Sequence, residues 1–501
     1  MSTHTGPNIA TQESKGPSDH DQRFFGHPRG LATLFFTEMW ERFSYYGMRA
    51  LLILFMVAPV DKGGLGFDVG KSGAIYGLYT AMVYLMNLPG GWVADRILGQ
   101  RRSVLYGGII IAMGHFSMAV PGLATFYLGL GLIVIGTGLL KPSISTMVGQ
   151  LYSSNDRRRD AGFSIFYMGI NIGAFLSPLA CGYVGQEINW HWGFGLAGIG
   201  MTLGLIQYSL GGKYLGDAGL YPVPTENPAA QKRNLAIGAV ITAAAMGILF
   251  LLSATGTVNL TAEGIANIVG VLLIVLSVGV FAWLLSAGDW TPVERKRFLA
   301  IGVLFLASAL FWSAFEQAGS TLNLFAERST DNHLFGYAYP SSFYQSLNSL
   351  YIIFGVAPLM AWLWVRKEIS SPAKFSWGLI FVGLGFVVMV IAARRASSGV
   401  QVSAAWLWIT YFLHTVGELC LSPVGLSAFT KLAPARVAGL MMGVWFLSTS
   451  IGDYIGGRMA SLYESWPLPS LFGAVAAFCI VLGLVLAVFV KPIKKLMGGV
   501  N

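Results

Sequence analysis

The sequence predicts an all-α polytopic membrane protein, and three observations support that fold class. The 501 residues are 54% hydrophobic and only 11% charged, whereas about 25% of the residues in a soluble domain are charged. The hydrophobic residues form long runs that reach the roughly 20 residues a helix needs to cross the hydrocarbon core. Most lysines and arginines lie in short polar segments between those runs, as membrane topology requires.

Fourteen apolar segments follow one another along the chain, and we expect each to be a transmembrane helix. Polar stretches at 212–234 and 287–297 divide them into groups of six, two and six. The middle pair carries no charge within its spans, so we expect it to be peripheral. The predicted spans are residues 31–58, 72–94, 102–120, 123–149, 161–183, 193–211, 235–254, 264–286, 297–326, 342–365, 374–393, 404–430, 438–461 and 469–490.

This grouping predicts two helical bundles joined by a linker. Two six-helix halves around a central site, with substrate held near the bilayer midplane, are a common plan for secondary transporters. The chain should therefore divide into a cytoplasmic tail at 1–30, a six-helix bundle at 31–211, a linker with two extra helices at 212–296, a second six-helix bundle at 297–490 and a cytoplasmic tail at 491–501.

The distribution of basic residues predicts the orientation of the chain. By the positive-inside rule, 23 of the 32 lysines and arginines fall on one side of the membrane and five on the other. The remaining four, Arg42, Arg49, Lys141 and Arg458, lie within spans. Both termini should therefore be cytoplasmic, which an even number of spans also requires. The same placement argues against nucleic acid as the partner that a net charge of +9 would suggest.

Several classes of function find no support in the sequence. The three cysteines, Cys181, Cys420 and Cys479, are scattered singly through apolar runs, and neither they nor the seven histidines have metal-ligand spacing. No P-loop, zinc motif or nucleophile elbow occurs, and there is no room outside the spans for a nucleotide-binding domain. We therefore expect no cofactor, no metal and no enzymatic activity.

The most informative stretch, Glu38–Arg49, lies within the first predicted span. On a helix, positions 38, 41, 42, 45, 46 and 49 share one face, and this face carries two acids, two bases and two tyrosines. Each charge at membrane depth costs about 2.5–3.5 kcal/mol. We therefore expect this face to line a polar site, although an ion-pair cluster that only joins helices would give the same pattern.

Several motifs narrow the class. The loop Gly90–Arg102 combines small residues with Asp95 and several bases that could lock it, and it resembles the loop signature of the major facilitator superfamily. The stretch Glu38–Gly47 resembles the E-x-x-E-R-F-x-Y-Y-G motif of the proton-dependent oligopeptide transporter (POT) family. Further stretches similar to that family lie in both halves of the chain, at 163–175, 311–317 and 417–427.

The resemblance implies a major facilitator fold and a proton-coupled symporter that imports di- and tripeptides by alternating access. It also implies roles for residues. Arg42 and Lys141 would bind the C-terminal carboxylate of the peptide, and Glu418, with Asn171 and Asn348, its N-terminal ammonium and backbone. The remaining predicted substrate-binding residues are Tyr45, Tyr46, Tyr84, Trp312, Trp445 and Ser448.

Coupling and gating would use the same charges. The residues implied in proton coupling are Glu38, Glu41, Arg42 and Glu316. Arg49 and Glu316 would close the extracellular side, and Lys141 and Glu418 the cytoplasmic side. Some members of that family have a titrating histidine in the second span, and this chain has none in its second predicted span, so the resemblance implies a proton pathway that depends on carboxylates.

Simpler explanations exist for each of these residues. Lys141 could extend its ammonium towards the membrane surface, the glutamates could form purely structural pairs, and the asparagines could bond between helices. The aromatic residues Tyr45, Tyr46, Tyr84, Trp312 and Trp445 could be ordinary core side chains. A symporter of another small anion or metabolite is the alternative function, and a receptor or intramembrane enzyme on the same fold is a rival from another class. The expected setting is a monomer in the cytoplasmic (inner) membrane, with peptides, protons and lipid as partners.

Overall fold

The computed structural model describes residues 21–153, 156–223, 229–230, 233, 236–238, 240, 244, 247–248, 251–253, 255–256, 261–286, 289–366 and 369–499. Half of the predicted span 235–254 and most of the predicted tail 1–30 lie outside the described residues.

The first half of the chain consists of helices that coincide with the first six predicted spans. The second span is two consecutive helices followed by a π turn at Ala94–Leu98, and the fifth span ends in a π turn at Val184–Ile188. The helices are α1 (Arg29–Val57), α2 (Val69–Leu85), α3 (Asn87–Val93), α4 (Gln100–Ala119), α5 (Leu123–Gln150), α6 (Arg159–Tyr183) and α7 (Trp190–Gly211).

The second half follows the prediction with two interruptions. The predicted span 297–326 breaks at a 3-10 turn, Glu316–Gly319, and the span 342–365 contains a 3-10 turn at Ser341–Gln345 and a π turn at Ile352–Val356. The helices are α8 (Ala262–Ser286), α9 (Pro292–Phe315), α10 (Thr321–Ser329), α11 (Ser346–Tyr351), α12 (Ala357–Arg366), α13 (Ser371–Ala396), α14 (Ala405–Leu432), α15 (Ala438–Ala460), α16 (Leu468–Val488) and α17 (Val490–Leu496).

Four two-residue strands complete the described elements. Strand β1 (Thr330–Asp331) pairs in parallel with β4 (Val402–Ser403), and β2 (His333–Leu334) pairs antiparallel with β3 (Tyr337–Ala338). Both pairs lie in connections between helices, so the fold is all-α as predicted.

Local signals explain several helix ends. Thr291 and Glu294 form a reciprocal capping box at the start of α9, with Pro292 in the first helical position. Asp68 caps α2 by accepting a hydrogen bond from the backbone N–H of Lys71 at 2.7 Å. Helix α1 ends at Val57, just before Ala58 and Pro59, because a residue that precedes proline disfavours helical backbone angles.

Nine helical segments in the described part of the chain are long and apolar enough to cross a membrane. Four further predicted spans coincide with α1, with α2 and α3 together, with α4 and with α15. The fourteenth is the span 235–254, so the count of fourteen remains a prediction that the structure is compatible with.

The packing of the helices creates two groups with contacts between them. In the first half α1 packs against α6 and α7, and α4 packs against α5; in the second half α13 packs against α14 and α16, and α9 against α15. The halves meet where α2 packs against α15 and where α6 packs against α11. Helix α8 lies against α2 and α15, and most of its surface is exposed.

One glycine of the α1 motif shows how closely these helices approach. A Cβ atom added at Gly47 would lie 2.7 Å from the Sγ atom of Cys181 in α6. Any larger side chain would therefore force α1 away from α6 and displace the charged face of α1.

Candidate functional site

The charged face of α1 is centred on Arg42. Its Nε atom donates to Oε1 of Glu38 at 2.8 Å and lies 2.7 Å from Oε2 of Glu41. All three residues are buried. Among the described residues, the Nη2 atom of Arg42 has no hydrogen-bond partner. This guanidinium is therefore neutralised on one side and keeps a donor for an anion on the other.

A second cluster surrounds Arg49 at the contact between the two halves. Its Nη2 atom lies 2.5 Å from Oε2 of Glu316, in the 3-10 turn that follows α9. Its Nε atom donates to the hydroxyl of Tyr76 in α2 at 2.8 Å. Both partners of the ion pair are about 5% exposed, so each compensates for the burial of the other.

Lys141 and Glu418 do not form the ion pair that the resemblance implies. The Lys141 ammonium lies 3.9 Å from the centroid of the Tyr84 ring, a cation–π contact. Glu418 instead accepts a hydrogen bond from Nδ2 of Asn348 at 2.7 Å, and the same Nδ2 lies 3.1 Å from the Thr415 hydroxyl. The ammonium and the carboxylate each have another partner, and this explains why they are apart in this conformation.

Tyr46 connects the two clusters. Arg42, Arg49, Glu316 and Glu418 all act electrostatically on its hydroxyl. Helix α1, the turn after α9 and helix α14 therefore present their charges to one region between the two halves. Lys141 of α5 belongs to the same region, because Arg42, Glu41 and Glu38 act on its ammonium.

Two other predicted residues use their polar groups within the protein. Asn171 donates from Nδ2 to the carbonyl of Tyr167, one turn earlier in α6, at 2.9 Å. Ser448 is fully buried, and its hydroxyl lies 2.8 Å from that of Ser308 in α9 and donates to the carbonyl of Trp445. Substrate contact by either side chain would require these bonds to be exchanged, and both roles remain predictions.

Among the predicted aromatic residues, Tyr45, Trp312 and Trp445 are buried, and Tyr46 and Tyr84 are half-buried. Trp312 is buried, and its Nε1 has no hydrogen-bond partner among the described residues. Trp445 packs edge-on against Phe429 at 5.3 Å between ring centroids. Tyr45 and Tyr46 are in edge contact at 5.2 Å. That these rings line a substrate pocket remains a prediction.

Two residues of this region were not identified from the sequence. Tyr76 binds Arg49, and its position in α2 gave no signal of that role. Asp453 of α15 is 1% exposed, and neither of its carboxylate oxygens has a hydrogen-bond partner among the described residues. An acid inside the predicted span 438–461 was the signal that could have identified it.

The loop Gly90–Arg102 is held in a different way from the predicted acid–base lock. Asp95 accepts a hydrogen bond from Nε2 of Gln100 at 2.9 Å, with no ion pair to a base among the described residues. Arg101 donates instead to the carbonyls of Gly216 and Ala218. Hydrogen bonds from the Arg101 guanidinium to backbone carbonyls, rather than an ion pair of Asp95, therefore attach this loop to the segment that follows α7.

The two helical groups and the buried charged site between them define the class of protein: a polytopic membrane transporter of the major facilitator type. Residues 101–475 match the sequence model of the POT family. The chain therefore belongs to the POT family, and it is a transporter rather than an enzyme.

Relatives and solved structures agree with this assignment along almost the whole chain. The peptide transporter YePEPT of Yersinia enterocolitica subsp. palearctica is 41% identical over 494 residues, covering 95% of this chain and 96% of its own. A di-/tripeptide transporter of Lactococcus lactis subsp. lactis is 38% identical over 493 residues, covering 96% and 99%. A solved peptide transporter POT in complex with sulfate superposes with a TM-score of 0.90 at 44% identity, covering 95% and 97%.

Proposed function

We propose that this protein is a proton-coupled symporter that imports di- and tripeptides across the cytoplasmic membrane by alternating access. The observation that carries the proposal is the separation of charge at the site. The cationic groups Arg42 and Lys141 form no ion pair with Glu418, whose carboxylate is bound by Asn348, so the site presents positive and negative groups that do not neutralise each other. The names of the Yersinia and Lactococcus relatives support the same substrate class.

The two ends fit the shape and charge of a short peptide. A free peptide is a zwitterion, and a site that accepts many side chains must recognise its termini and backbone. The unpartnered Nη2 of Arg42 and the Lys141 ammonium would bind the carboxylate. Glu418 would exchange its bond with Asn348 for one with the ammonium, and Asn348 and Asn171 would bind the backbone.

Aromatic rings would hold the variable side chains. Tyr45, Tyr46, Tyr84, Trp312 and Trp445 offer apolar faces with few directional demands. Such a lining would stabilise side chains of different sizes without requiring one shape. Ser448 would contribute only if its bond to Ser308 were released.

The charged clusters suggest how proton and peptide could be coupled. With Arg49 bound to Glu316, and Lys141 apart from Glu418, the arrangement corresponds to a carrier closed on the extracellular side and open towards the cytoplasm. Protonation of Glu316 would release Arg49 and favour the other conformation. Glu38 and Glu41 would take part through Arg42, which both contact.

The proposed setting follows from the distribution of charge. The excess of basic residues in the segments assigned to one side favours cytoplasmic N and C termini in the inner membrane. We propose that one polypeptide is the functional unit and that the proton is the coupling ion, without a cofactor.

A second candidate is a symporter of another small anion or metabolite. Two cationic groups close together, Arg42 and Lys141, would also suit an anion that lacks an ammonium group. Such a substrate would leave Glu418 without a cationic partner.

Uptake by purified protein in proteoliposomes tests the two candidates together. A radiolabelled dipeptide should accumulate above its external concentration under an inward proton gradient and equilibrate without the gradient. Protein-free liposomes are the control. Absence of gradient-driven accumulation, or competition by small carboxylates that equals competition by dipeptides, would contradict peptide symport and favour the second candidate.

A further inference from the structure

Helices α2 and α15 form a close contact between the two halves of the molecule. A Cβ atom added at Gly77 would lie 2.8 Å from the Cα atom of Gly457, and one added at Gly73 would lie 2.7 Å from the backbone nitrogen of Ser461. The two backbones therefore touch without intervening side chains. In the proposed orientation, these positions lie in the extracellular half of the membrane.

Hydrogen bonds join the two helices at both ends of this contact. Ser461 donates to the carbonyl of Gly70 at 2.8 Å, and Ser450 donates to the carbonyl of Ala81 at 2.7 Å. Both bonds run from a side chain of α15 to the backbone of α2. They would have to break if α2 and α15 separated to open the extracellular side.

Asp453 lies between these two bonds on α15. Positions 450, 453, 457 and 461 are three or four residues apart, so they share one helical face. The carboxyl group of Asp453 is almost fully buried, and neither oxygen has a hydrogen-bond donor among the described residues. A carboxylate buried in this way is unfavourable, whereas a neutral carboxylic acid is tolerated.

The neighbouring charged groups do not neutralise Asp453. The titratable groups that interact with it electrostatically are Arg49, Glu316, Lys141, Tyr76 and Tyr84. The two cations among them are engaged elsewhere, since Arg49 binds Glu316 and Tyr76, and Lys141 lies over the Tyr84 ring.

The helix that packs beside this contact, α8, and the rest of α15 add few charges. Helix α8 has one charged residue, Glu263, in its first turn and near Gly70. On α15 itself the other charged residue is Arg458. A proton is therefore the simplest cation that could stabilise Asp453 in the closed contact.

We propose that Asp453 is a proton-binding site whose protonation permits α2 and α15 to close on the extracellular side. The inference rests on the proposed symport function and extends it to a carboxylate outside the α1 motif. With the helices apart, water would reach the carboxylate, which could then release or take up a proton. The closed contact would retain only the neutral acid, so protonation of Asp453 would favour closure, which is the reverse of the effect proposed for protonation of Glu316.

The test measures closure directly and requires no substrate. The three native cysteines are buried, so spin labels can be directed to cysteines introduced at the exposed positions Asp61 and Ser465. Distances between the labels are measured in reconstituted protein at several pH values. The variants are Asp453→Asn, which mimics the neutral acid, and Ser450→Ala, which removes an interhelical bond without removing a titratable group.

The measurements are made in a Glu316→Gln background, which removes the opposing proton site; there the parent protein and its Ser450→Ala variant should shift towards the short distance as pH falls. A single proton site can change the ratio of closed to open by at most about tenfold per pH unit. Asp453→Asn should show the short distance at all pH values, with a clearly weaker dependence on pH. A dependence as steep as in the parent protein would overturn the proposal.

Two further measurements keep the result interpretable. Asp453→Glu retains a titratable group and should keep the pH dependence with a shifted midpoint; loss of the dependence in this variant as well, at normal yield and monodispersity, would also overturn the proposal. The failure of symport is seen separately, because it would abolish peptide accumulation by the wild type while leaving the pH-dependent distances of the parent protein unchanged.

Discussion

Each of the two predicted gate pairs combines a basic and an acidic side chain, but only one of the two ion pairs is formed in this structure. Arg49 and Glu316 are in contact at 2.5 Å. Lys141 and Glu418 each bind a different partner, Tyr84 and Asn348 respectively. Opposite charges in a membrane interior attract strongly, so two such pairs would both be expected to close in a rigid protein. The difference is the arrangement that the proposed alternation of gates requires, with one pair closed while the other is open.

The surroundings of the two pairs explain how the difference can persist. Arg49 has a second hydrogen-bond partner in Tyr76, so its pair is part of a network between α1, α2 and the turn after α9. The cationic member of the other pair rests on an aromatic face, which is a weaker and less directional contact. We therefore expect substitutions at the first pair to have larger effects than substitutions around the second.

The largest effect is expected from charge reversal at the closed pair. Arg49→Glu and Glu316→Arg should each reduce peptide uptake about 100-fold or more, because breaking a buried pair costs about 3–5 kcal/mol. The double variant restores opposite charges and should recover part of the activity. Uptake by the two single variants and the double variant is compared at equal protein. A double variant no better than the weaker single variant would contradict a direct functional pair.

The next largest effect is expected on the coupling of proton and peptide transport, at the cluster of Glu38, Glu41 and Arg42 in α1. Glu41→Gln keeps much of the shape of glutamate but cannot carry a proton, so accumulation driven by a proton gradient should be lost. Exchange of labelled for unlabelled peptide should persist, because it needs only the loaded carrier to reorient. Arg42→Ala is the matched comparison and should impair both assays, since it also removes a substrate contact. If the Glu41→Gln variant accumulates peptide as well as the wild type does, with the same pH dependence, Glu41 is not a coupling residue, and Glu38 or Glu316 must carry the proton.

A smaller effect is expected from changing the substrate rather than the protein. Dipeptide esters and amides lack the carboxylate that Arg42 and Lys141 would bind, so they should compete about 10- to 100-fold more weakly than free dipeptides, corresponding to about 1.5–3 kcal/mol for bonds to charged groups. Inhibition of labelled dipeptide uptake measures the difference. N-acetylated dipeptides, which alter the other end, provide the control for Glu418. Equal inhibition by ester and parent peptide would exclude the proposed carboxylate contacts.

The sequence was sufficient to predict the helices, because long apolar runs and polar loops specify membrane spans with little ambiguity. The predicted span 123–149 corresponds to α5 at Leu123–Gln150, and 404–430 corresponds to α14 at Ala405–Leu432. The break at Glu316–Gly319 was missed, since the residues around it are apolar enough to continue the hydrophobic run. Hydropathy records burial in the membrane but not local backbone geometry.

The contacts within the site were harder to predict. The resemblance named both members of the Lys141–Glu418 pair, but a carrier has one sequence and at least two conformations, so the sequence alone does not show which pair is closed. Asp95 lies beside several bases in the sequence and binds Gln100 in the structure. Asp453 belongs to no recognised motif, and apart from its place inside a predicted span, only its burial in the structure marks it.

The smallest effect is expected at the ring that holds Lys141 away from Glu418. The ammonium lies 3.9 Å from the centroid of the Tyr84 ring, and a cation–π contact contributes about 0.5–2 kcal/mol. Tyr84→Phe keeps the aromatic face, so the position of Lys141 and the affinity for dipeptides should change little. Tyr84→Leu removes the face and should weaken dipeptide binding about 2- to 30-fold, while freeing Lys141 to approach Glu418 and favouring closure of that pair.

Binding is measured by titration calorimetry, and closure by the rate at which a cytoplasmic thiol probe reaches a cysteine introduced near Glu418. If Tyr84→Phe weakens binding as much as Tyr84→Leu, the tyrosine hydroxyl rather than the ring face is responsible, and the contact with Lys141 does not explain why the two pairs differ.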